Sequence, residues 1–258
     1  MDSPLPSARA TFGPSSSVAS QRLSRPTALC AVEHLRGRAP AVLPSLLMCD
    51  FGHLADEVAR LEEAGVPALH LDVMDGHFVP NLTYGLPLVE ALRRLTDLPL
   101  DAHLMIERPE RWVEAFVAAG ADLVTIHAEA VDDPRPVLEK IRDSGAGAGL
   151  AINPPTPVAQ IADSVELCDL ILVMSVMPGF GGQAFQSVAL EKLRTLRAAG
   201  PSRLLLEIDG GVNDTTIGQC SEAGADLFVV GSALFRHADY PARVRALSGL
   251  IHARTSGH

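Results

Sequence analysis

The sequence has little of what marks several classes of protein. Its four cysteines, at positions 30, 49, 168 and 220, are scattered and have no paired spacing, so neither a disulfide framework nor a zinc ribbon is indicated. A reducing compartment is therefore expected. No apolar run is long enough to span a bilayer. A net charge of −10 argues against nucleic acid or an anionic membrane surface as a partner.

Lysine is scarce, and the arginines are unevenly placed. The chain has 19 Arg and 2 Lys, and residues 1–40 hold five Arg, seven Ser and five Pro but only two acids. This composition predicts a disordered extension over residues 1–40. It also fits an organelle transit peptide, which would place the protein in a plastid. The excess of Arg over Lys is typical of a high-GC bacterial genome and favours an unstructured tail on a cytoplasmic protein.

From residue 41 onward a unit repeats in which a helix ends in Gly and an apolar strand follows. The glycines stand at positions 65, 120, 145, 200 and 224, where a left-handed helix cap is expected. Their gaps equal one or two copies of a unit of about 24 to 28 residues. Strands at 41–46, 98–100 and 170–173 complete the set of eight. Residues 41–258 therefore predict one domain of eight strand–helix units, which is the α/β fold called a (β/α)₈ or TIM barrel. An open doubly wound sheet is the alternative, but no Gly-x-Gly-x-x-Gly follows the first strand.

Histidines and carboxylates stand at the ends of three predicted strands. His70 and Asp72 are two residues apart on the second strand and share one face, His103 lies on the third and Asp209 on the seventh. In a barrel these strand ends meet at one mouth, where active sites lie. Mixed nitrogen and oxygen ligands suit Zn²⁺, Fe²⁺, Mn²⁺ or Co²⁺. One such residue alone is more often structural, but four at one mouth indicate a metal site or an acid–base site.

Other side chains are expected close to this mouth. Met74, Met105 and Met174 would form a dry wall around it, although core filling alone explains methionines. By strand parity, Glu207 and Asp101 point inward one layer deeper. There each is equally a candidate to orient a metal ligand or to make a buried structural hydrogen bond.

Three glycine-rich turns favour a phosphate-binding type of barrel. Such barrels often hold a phosphate between the loops after strands seven and eight, on backbone N–H groups. Gly210-Gly211 and Gly231-Ser232 fall there, and Gly179, Gly181 and Gly182 would let a loop close over the anion. Most glycine-rich turns have no binding role, so the prediction of a phosphate site rests on three such turns meeting at one place.

The runs that carry these residues resemble the ribulose-phosphate 3-epimerase family, in order, across residues 41 to about 245. The specific runs are HLDVMDGHFVPN at 70–81 and PGFGGQ at 178–183, and those at 44–45, 101–106, 209–212 and 231–233 accompany them. Two departures from the family pattern occur. Met177 stands where Asn or Glu usually precedes the glycine loop, and Leu46-Leu47-Met48-Cys49 replaces Ile-Leu-Ser-Ala after Ser45. Neither touches a proposed ligand, and both bear on which sugar is preferred.

The resemblance implies an isomerase that interconverts D-ribulose 5-phosphate and D-xylulose 5-phosphate, in the pentose phosphate pathway and, in photosynthetic cells, the Calvin cycle. It implies a homo-oligomer and one divalent metal bound by His70, Asp72, His103 and Asp209, with Asp72 and Asp209 as the catalytic acid–base pair. Ser45 and His103 would contact the sugar. The rest of the substrate site would comprise Gly179, Phe180, Gly181, Gly182, Asp209, Gly210, Gly211, Gly231 and Ser232.

The expected chemistry explains why two carboxylates are needed. Epimerisation at carbon 3 removes a proton beside a ketone and returns one to the opposite face, so one group abstracts while the other donates. A divalent cation would stabilise the enediolate formed between the two proton transfers.

Three other functions fit the same residues. The first is 3-epimerisation of another ketose phosphate such as D-allulose 6-phosphate. The second is decarboxylation or aldol chemistry, which would want a Lys beside the paired acids, whereas Lys140 and Lys192 lie in predicted helices. The third is a non-catalytic barrel that binds a sugar phosphate or a partner, for which two Asp and two His at one mouth would be unnecessary.

Overall fold

The computed structural model describes residues 28–251, and these contain one sheet of eight parallel strands. The strands are β1 (Ala41–Pro44), β2 (Leu69–Met74), β3 (Leu100–Met105), β4 (Leu123–His127), β5 (Gly147–Ile152), β6 (Leu170–Met174), β7 (Leu205–Asp209) and β8 (Leu227–Val230). Their order is β1-β8-β7-β6-β5-β4-β3-β2. A parallel bridge between Ser45 and His70 brings β1 and β2 together at the carboxyl end. The sheet is therefore a nearly closed barrel, and the predicted fold is confirmed.

Helices alternate with the strands, as the repeat predicts. The α-helices are α1 (Ala28–Arg38), α2 (Leu54–Glu63), α3 (Leu86–Leu95), α4 (Val113–Ala119), α5 (Arg135–Asp143), α6 (Val188–Ala199), α7 (Ile217–Ala223), α8 (Ser232–Phe235) and α9 (Tyr240–Gly249). After β5 the connection is a 3₁₀ segment, Val158–Leu167, and shorter 3₁₀ turns lie at Leu46–Met48, Phe51–His53, Pro109–Arg111 and Ala128–Ala130. Within residues 28–251, none of the helices combines the length and apolar character needed to cross a bilayer.

Alternation along the strands divides the interior into an apolar end and a polar end. At the amino end of the barrel, the inward side chains form a buried cluster that includes Leu43, Leu123, Leu170, Leu205 and Leu227. The outward side chains of the strands pack against the helices in a larger core. At the carboxyl end the inward positions are mostly polar or carry methionine, and this is where the candidate site lies.

Helix α1 corrects one expectation. It lies within residues 1–40, for which the sequence predicted a disordered extension. Ala31, Val32 and Leu35 are buried and join the leucine cluster at the amino end of the barrel. The expectation is wrong for residues 28–38, because a short apolar helix face is hidden by the polar composition around it. Residues 1–27 and 252–258 lie outside the described residues.

The predicted glycine caps are mostly present. Gly65, Gly120, Gly145 and Gly224 all have positive φ, with values of 73°, 127°, 87° and 109°. Gly200 is the exception, with φ −82° and ψ 165°. Pro201 follows it, and a residue before proline is pushed towards extended backbone.

Candidate active site and metal centre

Strand β2 supplies the centre of the site. It is buried along its whole length, and its inward residues include His70 and Asp72. Oδ1 of Asp72 lies 3.4 Å from Nε2 of His70. Ser45, on the bridge that brings β1 and β2 together, donates its hydroxyl to Oδ2 of Asp72 at 2.5 Å. The closing bridge of the barrel therefore also fixes the orientation of this carboxylate.

The four predicted ligands come together. Nδ1 of His103 lies 3.2 Å from Oδ1 of Asp72, and one ligand atom from each of His70, Asp72, His103 and Asp209 lies within 4.8 Å of the others. Nε2 of His70 is buried and has no hydrogen-bond partner among the described residues. A histidine nitrogen that is buried beside carboxylates and makes no hydrogen bond is well placed to bind a cation, and two imidazoles with two carboxylates suit a divalent transition metal. This buried group could therefore hold a metal ion.

Asp101 and Glu207 lie behind the centre, one layer deeper, as strand parity predicted. Nδ1 of His70 is 2.7 Å from Oδ2 of Asp101 and 3.5 Å from Oε1 of Glu207, and all three side chains are fully buried. Asp101 thus contacts the ring nitrogen of His70 that faces away from Asp72. The mouth of the barrel has an excess of carboxylates, which favours a cation there.

The two aspartates of the site differ in proton affinity. Burial alone would raise the pKa of Asp72, but His70 and a hydrogen bond with His103 outweigh it and hold this pKa well below its usual range. Burial, followed by the charge of Asp72, raises the pKa of Asp209 to about 7. Two carboxyl groups whose pKa values are driven apart are suited to act as a base and an acid.

The pKa values of the two histidines are also shifted in opposite directions, and that of the deeper Glu207 is raised. Burial lowers the pKa of His103 to about 4, which leaves its imidazole neutral. Burial also lowers the pKa of His70, but Asp72 and Asp101 outweigh it and raise this pKa well above its usual value. Burial and then the charge of Asp101 raise the pKa of Glu207 to about 8. The carboxylates thus favour a positive charge at His70, which a bound cation would also supply.

A cavity of about 260 Å³ opens above this centre. Most of the residues predicted to bind substrate line it, namely Ser45, Asp72, Gly179, Phe180, Gly181, Gly182, Asp209, Gly210, Gly211, Gly231 and Ser232. Met74, Met105 and Met174 are also in the lining, as expected. His70 and His103 are fully buried and lie outside the cavity lining.

The glycine loop of residues 179–182 is held by side-chain amides. Asn81 Nδ2 donates to the carbonyl of Gly179 at 2.6 Å. Gln183 Nε2 donates to the carbonyls of Met177 at 2.6 Å and Phe180 at 2.9 Å. Asn81 and Gln183 end the two specific sequence runs, so these runs meet in space at the rim of the cavity.

Several residues near the site were not singled out from the sequence. Met48 and Arg236 line the cavity, and Arg236 is the one basic side chain among the lining residues that the structure describes. His127 ends β4, and its Nε2 lies 2.8 Å from Nε2 of His103. His127 could have been predicted from the sequence, because it stands at the carboxyl end of β4 and, two residues after Thr125, lies on the same face of the strand. Met48 was noted only as part of a departure from the family pattern, and no pattern in the sequence marks Arg236. Both residues reach the cavity from connections outside the strands.

The fold and the site define a class, a (β/α)₈-barrel enzyme with paired carboxylates and a potential metal centre at its carboxyl mouth. The sequence model described as the Ribulose-phosphate 3 epimerase family matches residues 41–235. The chain belongs to this family and is an isomerase of the epimerase type.

Curated relatives agree over most of their length. The chain is 52% identical over 211 residues to the ribulose-phosphate 3-epimerase of Mycobacterium tuberculosis, a match that covers 81% of this chain and 91% of the relative. It is 45% identical over 212 residues to the enzyme of the same name from Bacillus subtilis, with coverage of 81% and 98%.

Solved structures support the fold at low identity. The tryptophan synthase α-subunit of Pyrococcus furiosus matches with a TM-score of 0.63 at 16% identity, over 82% of this chain and 98% of that one. Tryptophan synthase of Mycobacterium tuberculosis matches with a TM-score of 0.63 at 17% identity, over 86% and 97%. These similarities bear on the barrel alone.

Proposed function

We propose that the protein interconverts D-ribulose 5-phosphate and D-xylulose 5-phosphate by a two-carboxylate proton transfer at carbon 3. Family membership and the names of the relatives support the substrate. The observation that carries the mechanism is the pairing of Asp72, whose pKa is held low, with Asp209, whose pKa is raised to about 7. Their ligand oxygens lie within 4.8 Å of each other at one mouth.

The two aspartates take complementary roles. Ionised Asp72 abstracts the proton from carbon 3 on one face, and protonated Asp209 donates a proton to the opposite face. In the reverse direction they exchange roles. The hydroxyl of Ser45, which donates to Asp72 at 2.5 Å, holds the carboxylate in place and lies within the cavity wall, where a sugar hydroxyl would meet it.

We propose that one divalent cation binds to His70, Asp72, His103 and Asp209. Because the donors are two imidazoles and two carboxylates, the candidate cations are Zn²⁺, Fe²⁺, Mn²⁺ and Co²⁺. When bound, the cation supplies Lewis-acid stabilisation of the negative charge that develops on the substrate oxygens. Asp101 holds His70 from behind, because its carboxylate contacts Nδ1 and leaves Nε2 facing Asp72.

The phosphate is proposed to bind where the glycine turns converge. Gly210, Gly211, Gly231 and Ser232 line one side of the cavity, between the ends of β7 and β8, and the loop of Gly179 to Gly182 lines another. Backbone N–H groups of such turns are frequent phosphate ligands in barrels. The guanidinium of Arg236 adds positive charge to the lining.

The same chemistry on D-allulose 6-phosphate is less favoured, because the relatives are named for ribulose phosphate. The ratio of kcat/KM for the two sugars decides between them. We infer a cytoplasmic location from the bacterial relatives and the free buried cysteines at 49, 168 and 220. A homo-oligomer is supported by the family resemblance.

Proton exchange in heavy water tests the proposal. Metal-loaded protein is incubated with D-ribulose 5-phosphate while carbon 3 is followed by NMR, before and after treatment with a chelator. We expect deuterium at carbon 3 together with xylulose 5-phosphate, and loss of both after the chelator. Deuterium without xylulose 5-phosphate would mean that one base works alone, and no exchange would reject the reaction for this substrate. Asp72→Asn is expected to abolish turnover without abolishing sugar-phosphate binding, which excludes a simple binding protein.

A further inference from the structure

Strand β1 is too short to cover the whole edge of β2. It ends at Pro44, and the two strands meet at the bridge between Ser45 and His70. β2 continues from there to Met74, whereas the chain after Ser45 turns into a 3₁₀ helix. Within residues 28–251, no strand pairs with this edge of β2 beyond His70. The backbone groups of this open edge, at residues 71–74, therefore need other partners.

The open edge carries the backbone of Asp72. Along a strand in a parallel sheet, the N–H groups of successive residues point to opposite neighbours. The N–H of Leu69 donates to the carbonyl of Pro99 on the β3 side, at 3.0 Å. Those of Leu71 and Val73 therefore also face β3, and that of Asp72 faces the open edge. The edge without a neighbouring strand is thus the one that carries the proposed catalytic base.

The side chains of residues 83 and 84 supply the missing partners. The N–H of Asp72 donates to the phenol oxygen of Tyr84 at 3.0 Å. The hydroxyl of Thr83 donates to the carbonyl of Asp72 at 2.7 Å and accepts from the N–H of Met74 at 2.9 Å. The N–H of Thr83 donates to the carbonyl of Met74 at 3.3 Å. Both backbone groups of Asp72 are therefore held by side chains that take the place of a strand.

A turn after β2 brings these two residues to the open edge. Asp75 and Leu82 form an antiparallel bridge, so the chain reverses direction and runs back along β2. The ring of Tyr84 packs against Phe51, with ring centroids 5.6 Å apart. This contact fixes the ring from the side, and the phenol oxygen is therefore held at the N–H of Asp72.

We infer that Tyr84 and Thr83 are positioning residues for Asp72, because they hold the backbone of this base where the barrel provides no neighbouring strand. The inference rests on the proposed function, in which Asp72 abstracts the proton from carbon 3. Neither Tyr84 nor Thr83 lines the cavity, so both act through Asp72 and not by contact with substrate. A base displaced by about 1 Å can lose about 100-fold in rate, so such a support matters for the chemical step.

The variant Tyr84→Phe tests the inference, because it removes one hydroxyl and keeps the ring. The N–H of Asp72 then loses its acceptor. We expect kcat for epimerisation to fall by about 10-fold while KM stays within about twofold, since the position of the base affects the proton transfer and not the binding of the sugar phosphate.

Tyr240→Phe is the matched control. The hydroxyl of Tyr240 donates to Oε2 of Glu57 at 2.6 Å, between α9 and α2 on the outside of the barrel. This variant also loses a buried hydrogen bond of a tyrosine, so it costs stability in the same way. Its kcat and KM should nevertheless equal those of the wild type.

Amide hydrogen exchange tests the contact without metal or substrate. In chelator-treated protein followed by NMR, we expect the N–H of Asp72 to exchange about 3- to 10-fold faster in Tyr84→Phe than in the wild type, the value of one hydrogen bond. The N–H groups of Leu71 and Val73 face β3 and serve as internal references. A loss of overall stability would accelerate all three alike, whereas loss of the support at the open edge accelerates Asp72 most.

Thr83 provides a second pair of variants. Thr83→Val removes the hydroxyl that joins Asp72 and Met74, whereas Thr83→Ser keeps it. We expect kcat to fall by about 10-fold in Thr83→Val and to stay within about twofold of the wild type in Thr83→Ser. An equal loss in both variants would show that packing of the methyl group matters and that the hydrogen bonds do not, which would contradict the role of Thr83.

Three results would overturn the inference for Tyr84. They are an unchanged kcat in folded Tyr84→Phe, a raised KM with kcat intact, and equal acceleration of exchange at Asp72 and Leu71. Failure of the wild type to epimerise D-ribulose 5-phosphate would instead reject the proposed function. The exchange at Asp72, measured without substrate, would still decide whether Tyr84 holds this residue in place.

Discussion

Oδ2 of Asp101 lies 2.7 Å from Nδ1 of His70, and both side chains are fully buried. The pair comes from neighbouring strands, where His70 and Asp101 are register partners. Because Asp101 takes Nδ1, the other nitrogen of the ring, Nε2, is left towards Asp72 at 3.4 Å. A carboxylate behind a metal-ligating histidine fixes its orientation and raises its basicity.

Replacing Asp101 by Asn removes the charge behind His70 while keeping the size of the side chain. We expect Asp101→Asn to weaken Zn²⁺ binding by about 10- to 100-fold, because a less basic and less firmly oriented imidazole is a poorer ligand. Chelator competition at fixed pH measures this. Asp97→Asn, on an exposed residue just before the same strand, serves as the control. Equal Zn²⁺ affinity in both variants would mean that Asp101 is a structural residue only.

The metal-free protein is expected to lose stability as the pH rises from 6.5 to 8.5. The carboxyls of Glu207 and Asp209 have native pKa values of about 8 and 7 but ordinary values of 4.5 and 3.8. In this window the native state therefore binds more protons than the unfolded chain, so the free energy of unfolding falls with rising pH. The raised pKa of His70 acts in the same direction.

Urea denaturation of chelator-treated protein at several pH values measures this effect. We expect the free energy of unfolding to fall by about 2 kcal/mol across the window, since each pKa unit is worth about 1.4 kcal/mol. Glu207→Gln should flatten the dependence, because a neutral amide has no proton to lose, whereas the exposed Glu166→Gln should not. A free energy of unfolding that stays level or rises would show that Glu207 and Asp209 are ionised in the native protein.

The glycine loop gives a third prediction. Asn81 Nδ2 donates to the carbonyl of Gly179 at 2.6 Å and is the side chain that joins the loop to the end of β2. Asn81→Asp keeps the size of the residue and the acceptor for Leu82 N but loses the donor. We expect KM for the sugar phosphate to rise by about 3- to 10-fold, the value of one hydrogen bond, with a smaller change in kcat. Steady-state kinetics measure this, and an unchanged KM would show that the loop is held by Gln183 alone.

The sequence predicts the barrel well because its periodic features are local. Glycine after each helix and an apolar strand after each glycine are visible without knowing any long-range contact. Helix α1 was missed because its apolar face of Ala31, Val32 and Leu35 is completed only by leucines from distant strands. The contact between His103 and His127 was missed for a similar reason, because pairing between ring nitrogens depends on three-dimensional geometry that strand parity only suggests.

Gly210, at the turn after β7, gives the last prediction. Its φ is +105°, and a Cβ there would lie 2.6 Å from Val176 Cγ2 and 2.9 Å from Ser175 Oγ. The hydroxyl of Ser175 donates to the carbonyl of Gly210, so the turn has little freedom to move away. We expect Gly210→Ala to reduce the free energy of unfolding by about 1–3 kcal/mol through backbone strain and to raise KM for the sugar phosphate by about 10-fold.

Gly37→Ala is the matched control, because Gly37 lies in helix α1 with no atom within 4 Å of an added Cβ. There alanine should leave KM unchanged and stabilise the protein by up to about 1 kcal/mol through its better helix propensity. Thermal unfolding and steady-state kinetics on both variants measure the contrast. If Gly210→Ala behaved like Gly37→Ala, the turn after β7 would be free to rearrange. The convergence of glycine turns on the phosphate would then lose its structural support.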